Sequence, residues 1–363
     1  MVFSLISMPV TMYAADTSGY FEYEISDGKV EITEYFYDSP YPTNVVIPDT
    51  ISGYPVTSIG EGAFRDCRSL ERITIPSSVK SIGDWAFSLC TGLESVILTD
   101  GVTVIGDFAF ATCSILESIT IPSSVTSIGE QAFVNCYQLK SITLSEGLTS
   151  IGESAFWHCD RLTNITIPEG VTSIGDYAFE DCTRLKSVTL PESLTSIGNG
   201  VFLECESLTN ITIPEGVTSI GVRAFHMCDS FESITLPESL TSIGDMAFGS
   251  MLNLKTVYYN GTAAQWESIN IGESNDTLTR VNIIFANDEP EDPAEPTYSA
   301  GDISGDGKIN GMDINVAKRI LSGTAQPTDE QLLAADVNGD GTFNGLDANL
   351  LSRFVGGAVN DFE

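Results

Sequence analysis

The chain repeats itself every 23 residues, and that period constrains the fold more than any other feature. From Val56 to Thr262, nine copies follow Val-Thr-Ser-Ile-Gly-Asp/Glu-x-Ala-Phe-x-x-Cys-x-x-Leu-x-Ser-Ile-Thr-Ile-Pro-x-x. One unit is too short to bury an apolar face alone, so the copies must stack and share a continuous core. In each copy the Leu-x-x-Ile-x-Ile run (Leu70, Ile73, Ile75 in the first) is spaced as a strand, and Ala-Phe-x-x-Cys-x-x-Leu is spaced as a helix. The expected architecture is an α/β repeat solenoid with sealed ends. At one end (16–55), Tyr23 to Ile32 alternate around an Asp27-Gly28 turn and read as a capping hairpin. At the other (263–285), Tyr258 to Trp266 and Leu278 to Ile283 read as a closing half-repeat.

All eight cysteines, from Cys67 to Cys228, occupy one repeat position. An even count in an exported chain invites disulfides. Uniform spacing beside Phe64, Phe87, Phe110 and their equivalents instead reads as a buried column of free thiols, and Met251 takes the same place in the ninth copy. An acidic column, Glu61, Asp84, Asp107, Glu130, Glu153, Asp176 and Asp245, precedes Ala-Phe. Stacked carboxylates roughly 5 Å apart are what a retaining glycosidase uses. The plainer account is an acid meeting the unpaired N–H groups of a short helix's first turn, because a catalytic pair has no reason to recur seven times. His158 and His226 lie three repeats apart, about 15 Å at strand spacing, too far to act together. No nucleophile elbow, phosphate-cradling loop or zinc spacing is present, so no catalytic residue is assigned.

The net charge of -34, with only 16 Lys plus Arg, excludes a nucleic-acid-binding surface and disfavours anionic membranes. Residues 2–15 form an uncharged apolar run ending in small residues, the pattern of a secretory signal peptide over 1–15. The run lacks a basic n-region, which points to a start internal to the leader. It is too short to span a bilayer, and no second such run follows, so the expected localisation is secreted and extracellular, with any attachment made through the C-terminal tail.

The period, the Ala-Phe-x-x-Cys segment and the Ile-Pro strand end make residues 56–262 resemble the BspA-like leucine-rich repeats of bacterial surface proteins. The resemblance implies adhesion or binding. The outward strand column is monotonous: Thr74, Ile97, Thr120, Thr143, Thr166, Thr189, Thr212, Thr235 and Tyr258. Such a surface suits a repetitive polymer or solvent better than a shaped protein. Variation sits beside Ala-Phe, where Trp85, Phe108, Trp157 and Tyr177 are the candidate ligand surface, since exposed aromatics stack on sugars or anchor proteins. The alternative is solvent-facing turns without a partner.

Near the C-terminus two twelve-residue loops stand 34 residues apart. Asp302, Ser304, Asp306, Asn310 and Asp313 in the first match Asp336, Asn338, Asp340, Asn344 and Asp347 in the second, with Lys308 and Thr342 at the seventh position and glycine at the sixth. Oxygen donors at positions 1, 3, 5, 9 and 12, with the seventh offering its carbonyl, are what Ca²⁺ demands of such a loop, so two calcium ions are expected. Nothing before Asp302 reads as an entering helix, while Asp313 to Gly323 and Asp347 to Gly356 carry apolar residues at helical spacing and end at glycine.

This loop-then-helix unit, used twice over residues 301–357, resembles a type I dockerin, the module that plugs a secreted protein into a cohesin on a cellulosome scaffold. The resemblance places cohesin contacts on Gly311, Met312, Lys318 and Arg319 in the first copy and on Gly345, Leu346, Ser352 and Arg353 in the second. It also implies an all-α module that needs its metal to fold. The acidic, proline-rich residues 286–300 read as an extended tether between independent domains. The expected function is a non-catalytic binding protein displayed on a cohesin-bearing scaffold, its array contacting a polysaccharide, cell surface or protein. The alternatives are a polysaccharide-degrading component and a passive spacer or inhibitor module.

Overall fold

The computed structural model describes residues 10–11, 20–36, 42–286, 300–305, 308–339 and 341–355. They fall into two compact units, one of residues 1–232, 240–254 and 270–279, the other of 233–239, 255–269 and 280–363.

In the first unit each copy contributes two short strands. One is the expected run, such as Arg72–Ile75 and Ser95–Leu98, pairing parallel with its counterpart 23 residues on: Arg72 lies opposite Ser95 and Ser118 opposite Ser141. The other was not anticipated. The Ser-Ile dipeptides Ser81–Ile82, Ser127–Ile128 and Ser150–Ile151 form a second parallel ladder, with Val104–Ile105 in its place, and each isoleucine is buried. The glycine that follows is held by close approach, because a Cβ on Gly129 would lie 2.5 Å from the Gly106 carbonyl carbon.

The helix expected across Ala-Phe-x-x-Cys-x-x-Leu does not form. Two residues per copy, four apart, take positive φ: Trp85 and Leu89, Phe108 and Thr112, Gln131 and Asn135. Amides then alternate in direction. Phe87 N donates to Ala109 O of the next copy at 2.7 Å, whereas Ser88 N turns back to Trp85 O at 2.9 Å and Leu89 N again crosses, to Ala111 O at 2.8 Å. An eight-residue helix would satisfy few of its own amides, and this arrangement lets neighbouring copies satisfy one another. The apolar spacing nevertheless delivers the core: Phe64 to Phe248 are fully buried, and their rings stack along the array at 4.9 to 5.7 Å. All eight cysteines are buried and free. Seven of the thiols donate to the phenylalanine carbonyl of the preceding copy, as Cys90 Sγ does to Phe64 O at 3.0 Å.

The N-terminal hairpin forms as the sequence predicts. Phe21–Ser26 pairs antiparallel with Lys29–Tyr35 about Asp27 and Gly28, both at positive φ, and Lys29–Tyr35 passes the sheet to Tyr54–Ile59. Tyr35 extends the ring stack by lying 5.1 Å from Phe64. Of the expected leader only Val10–Thr11 is described, a strand antiparallel to Phe21–Ser26; its other residues lie outside the described ones.

The second unit begins with Ser233–Leu236, Thr256–Tyr259 and Asn282–Phe285, three parallel strands. The short helix α1 (Ala263–Ser268) opens on a capping box of Thr262 and Gln265, and Trp266 packs edge-on to Tyr259 at 5.3 Å. Helix α2 (Asp276–Arg280), all but its last residue in the first unit, follows. Three further helices belong to the second unit: α3 (Gly311–Leu321), α4 (Asp329–Ala335) and α5 (Gly345–Val355). Ile303, Ala317, Ala335 and Leu351 make their small core, with Ile309, Ile314, Val316, Ile320 and Phe343 packed around it. α3 and α5 are the predicted exiting helices. α4 was missed, although its capping box of Thr328 and Gln331 is plain in the sequence. Most of the tether, residues 287–299, lies outside the described residues.

Candidate functional site: calcium loops and repeat surface

The aspartates of the acidic column cap the next copy's main chain rather than a helix. Asp84 Oδ1 accepts from Asp107 N and Asp107 Oδ1 from Glu130 N, both at 2.8 Å. Asp176 and Asp245 accept likewise from Asn199 N and Glu273 N, and Asn199, standing where an acid is usual, accepts from Val222 N at 2.9 Å. In these copies an amide does the same work as a carboxylate, so the bond needs no charge, and Val222 holds the same repeat position with no acceptor oxygen at all. His158 lies between Asp160 and Asp181, with Nδ1 3.5 Å and Nε2 3.6 Å from their carboxylates. Burial lowers the affinity of His226 for a proton.

Three of the four candidate ligand aromatics share one repeat position. Trp85 and Phe108 stack nearly parallel at 3.9 Å, with the Arg65 guanidinium 5.1 Å above the Trp85 ring. Tyr177 stands three copies further on, its ring covering Gly200, where a Cβ would clash. Trp157 belongs to a different position; it stacks on His158 at 5.3 Å and donates from Nε1 to Asp181 Oδ2 at 3.3 Å. All four rings are half-buried, so each presents an edge and part of a face.

In the second unit three of the described loop carboxylates face inward, and Asp336 is half-buried. Asp302, Asp313 and Asp347 are buried. Asp313 closes its loop by accepting from Ser304 N at 2.9 Å and Asn310 N at 2.7 Å, and Asp347 does so from Asn338 N at 3.2 Å and Asn344 N at 2.9 Å. Asp302 Oδ1 accepts from Gly305 N at 2.9 Å, and Asp336 Oδ2 from Gly341 N at 2.7 Å. Asn310 and Asn344 start the helices, accepting from Met312 N and Leu346 N at 2.8 Å. Lys308 and Thr342 are exposed, as befits residues that would offer only a carbonyl. Burial, with a smaller contribution from Asp302, pushes the Asp313 carboxyl above its ordinary range. A divalent cation held between such carboxylates removes both penalties, so the donor set fits calcium. Asp306 and Asp340 lie outside the described residues, and among those described no three carboxylates, histidines or cysteines gather closely.

The expected cohesin contacts open and line the two exiting helices. Gly311 and Met312 begin α3 half-buried, with Lys318 exposed and Arg319 half-buried near its end. Gly345 and Leu346 begin α5 exposed, Ser352 Oγ donates to Ala348 O at 2.8 Å, and Arg353 lies one residue beyond.

With this geometry in place, residues 30–163 and 149–270 match the family model for the BspA type Leucine rich repeat region, in six copies. The chain belongs to the BspA-type leucine-rich-repeat family. Residues 300–356 match the type I dockerin domain, so this BspA-type protein carries a C-terminal dockerin. Type I dockerins bind calcium, and the module implies a cohesin partner. The BspA-type array is similar to the solved structure of a leucine-rich repeat protein from Bacteroides ovatus, at 32% identity over 73% of this chain and 70% of that one, with a TM-score of 0.63. It is also similar to a leucine rich repeat protein of T. pallidum, at 32% identity over 58% of this chain and 88% of that one, with a TM-score of 0.45. No curated protein matches. Among the described residues no helix is long and apolar enough to cross a membrane.

Proposed function

We propose that this is an exported, non-catalytic binding protein, held through its dockerin on a cohesin of a cellulosome-type scaffold. The array at 56–262, with caps at 16–55 and 263–285, contacts a polysaccharide, cell surface or protein; 286–300 tethers it to the dockerin at 301–357. Two calcium ions order the tail, one in each loop. The first is held by Asp302, Ser304, Asp306, Asn310, Asp313 and the Lys308 carbonyl, and the second by the matching residues from Asp336 to Asp347. The observation that carries the reading is the duplicated loop with its last carboxylate buried and facing back into the loop. A non-catalytic array is supported by the acidic column, whose aspartates accept main-chain amides.

Binding of type I cohesins to the full chain, with calcium and with excess chelator, tests the anchoring. Binding in calcium that vanishes on chelation is expected, and binding that survives chelation rules it out. For the array, replacing Trp85, Phe108, Trp157 and Tyr177 together with alanine is expected to weaken whatever glycan or cell surface the parent chain retains in a binding screen. Unchanged retention by a folded variant rejects that surface.

A further inference from the structure

We propose that the first copy of the duplicated tail is docked on the closing strand Thr256–Tyr259, so that the second copy is the face offered to a cohesin. The proposal rests on the reading that the tail binds a cohesin, and the two fail in different ways below.

The tail is a sequence duplication, so a difference in the surroundings of equivalent residues carries information. Asn315 on α3 donates from Nδ2 to Asn260 Oδ1 at 2.8 Å, and Asn260 is buried. A Cβ on Gly311 would lie 3.6 to 3.8 Å from the Tyr258 ring, so the ring is in contact with the start of α3. The equivalents in the second copy are Asn349, which is exposed, and Gly345, around which nothing lies within 4 Å of a Cβ. Met312 is half-buried, whereas Leu346 is 70% exposed.

The receiving residues are also the ones that break the repeat. Where the other copies have Thr or Ile, then Ile or Leu, then mostly Pro, the ninth has Tyr258, Tyr259 and Asn260. Tyr259 is explained by the edge-on packing of Trp266 beneath it. Tyr258 and Asn260 are the two that meet α3. An apolar ring against a glycine, next to an amide pair, is a small and specific contact, able to bias two otherwise equivalent faces without locking the tail. The partner this leaves room for is a cohesin surface with an apolar patch for Leu346.

The test uses the calcium-loaded full chain, whose own thiols are buried. Single thiols are introduced by Met312→Cys or Leu346→Cys and labelled with a maleimide. The 346 thiol should react about fivefold faster, the scale of one net hydrogen bond. Adding Asn315→Ala, or Asn260→Ala from the other side, should bring the 312 thiol within about twofold of it. Equal rates in the parent chain, or no response to either alanine, overturn the proposal. Against a panel of type I cohesins, Leu346→Asp should weaken binding about fivefold or more, and Asn315→Ala in that background should recover it as the first face is released. Failure to recover overturns the choice of face. A parent chain that binds no cohesin sinks the anchoring reading instead, while the labelling result stands.

Discussion

The array and the tail solve the same problem, ordering a short repeated unit, by opposite means. In the array every copy gives its neighbours main-chain hydrogen bonds on each side and one more ring to a buried stack. In the tail, two copies share a core of a few aliphatic side chains and bury carboxylates that oppose their own burial. The array is thus held by its own main-chain and ring contacts, whereas the tail's buried carboxylates would be relieved by a bound cation.

Chelation should break this contrast most widely. Excess chelator should abolish the helical signal and the unfolding transition of the tail, leaving the array's calorimetric transition in place; a tail that keeps its transition contradicts the account. Alkaline pH should attack the other side. Seven thiols are held above their ordinary range, six chiefly by burial, Cys136 among them at about 12, and Cys90 chiefly by its hydrogen bond with Cys67 and then by burial. From about pH 8.5 upward these thiols ionise in the unfolded chain but stay protonated in the folded one. The unfolded state then binds fewer protons, so stability falls with rising pH by up to about 1.4 kcal/mol per unit for each thiol. Urea midpoints measured from pH 8 to 11 should drop steeply, and a flat profile would place the thiols in contact with water.

Smaller effects sharpen the picture of the array. Phe156→Ala removes one ring from the stack and should cost about 3 to 5 kcal/mol in urea denaturation. Asp107→Ala should cost about 1 kcal/mol, as the Glu130 amide loses its acceptor. Asp107→Asn should stay within about 0.5 kcal/mol of the parent, because Asn199 already does this work. A large loss in that last variant would show that the charge itself matters.

Much of this was legible in the residues. The period fixed the stacking, the inward isoleucines fixed one strand, and the Asp27-Gly28 turn fixed the hairpin. The helix from Ala-Phe to Leu was misread because Phe64, Cys67 and Leu70 lie three residues apart in sequence, which suits a helix and a run of tight turns alike. The amides decided between them, and their partners sit in the next copy, beyond the reach of a local pattern. The Ser-Ile ladder escaped for the same reason, since two residues carry no periodicity. The duplicated loop-then-helix unit could be read from spacing alone, and the type I dockerin match over residues 300–356 agrees with it. The contact of α3 with Tyr258 and Asn260 could not, although the broken repeat at those two positions marked them as unusual.

The alternation of amide direction along the turns has a consequence for how such an array changes in length. Whole 23-residue blocks can be gained or lost without disturbing any partner, because each block leaves the pattern as it found it. One extra amino acid between Gly62 and Cys67 would instead reverse the parity of every later N–H in that turn, aiming donors inward that should reach across and across those that should turn back. Growth by unit and intolerance of single-residue slippage are thus two sides of one geometry.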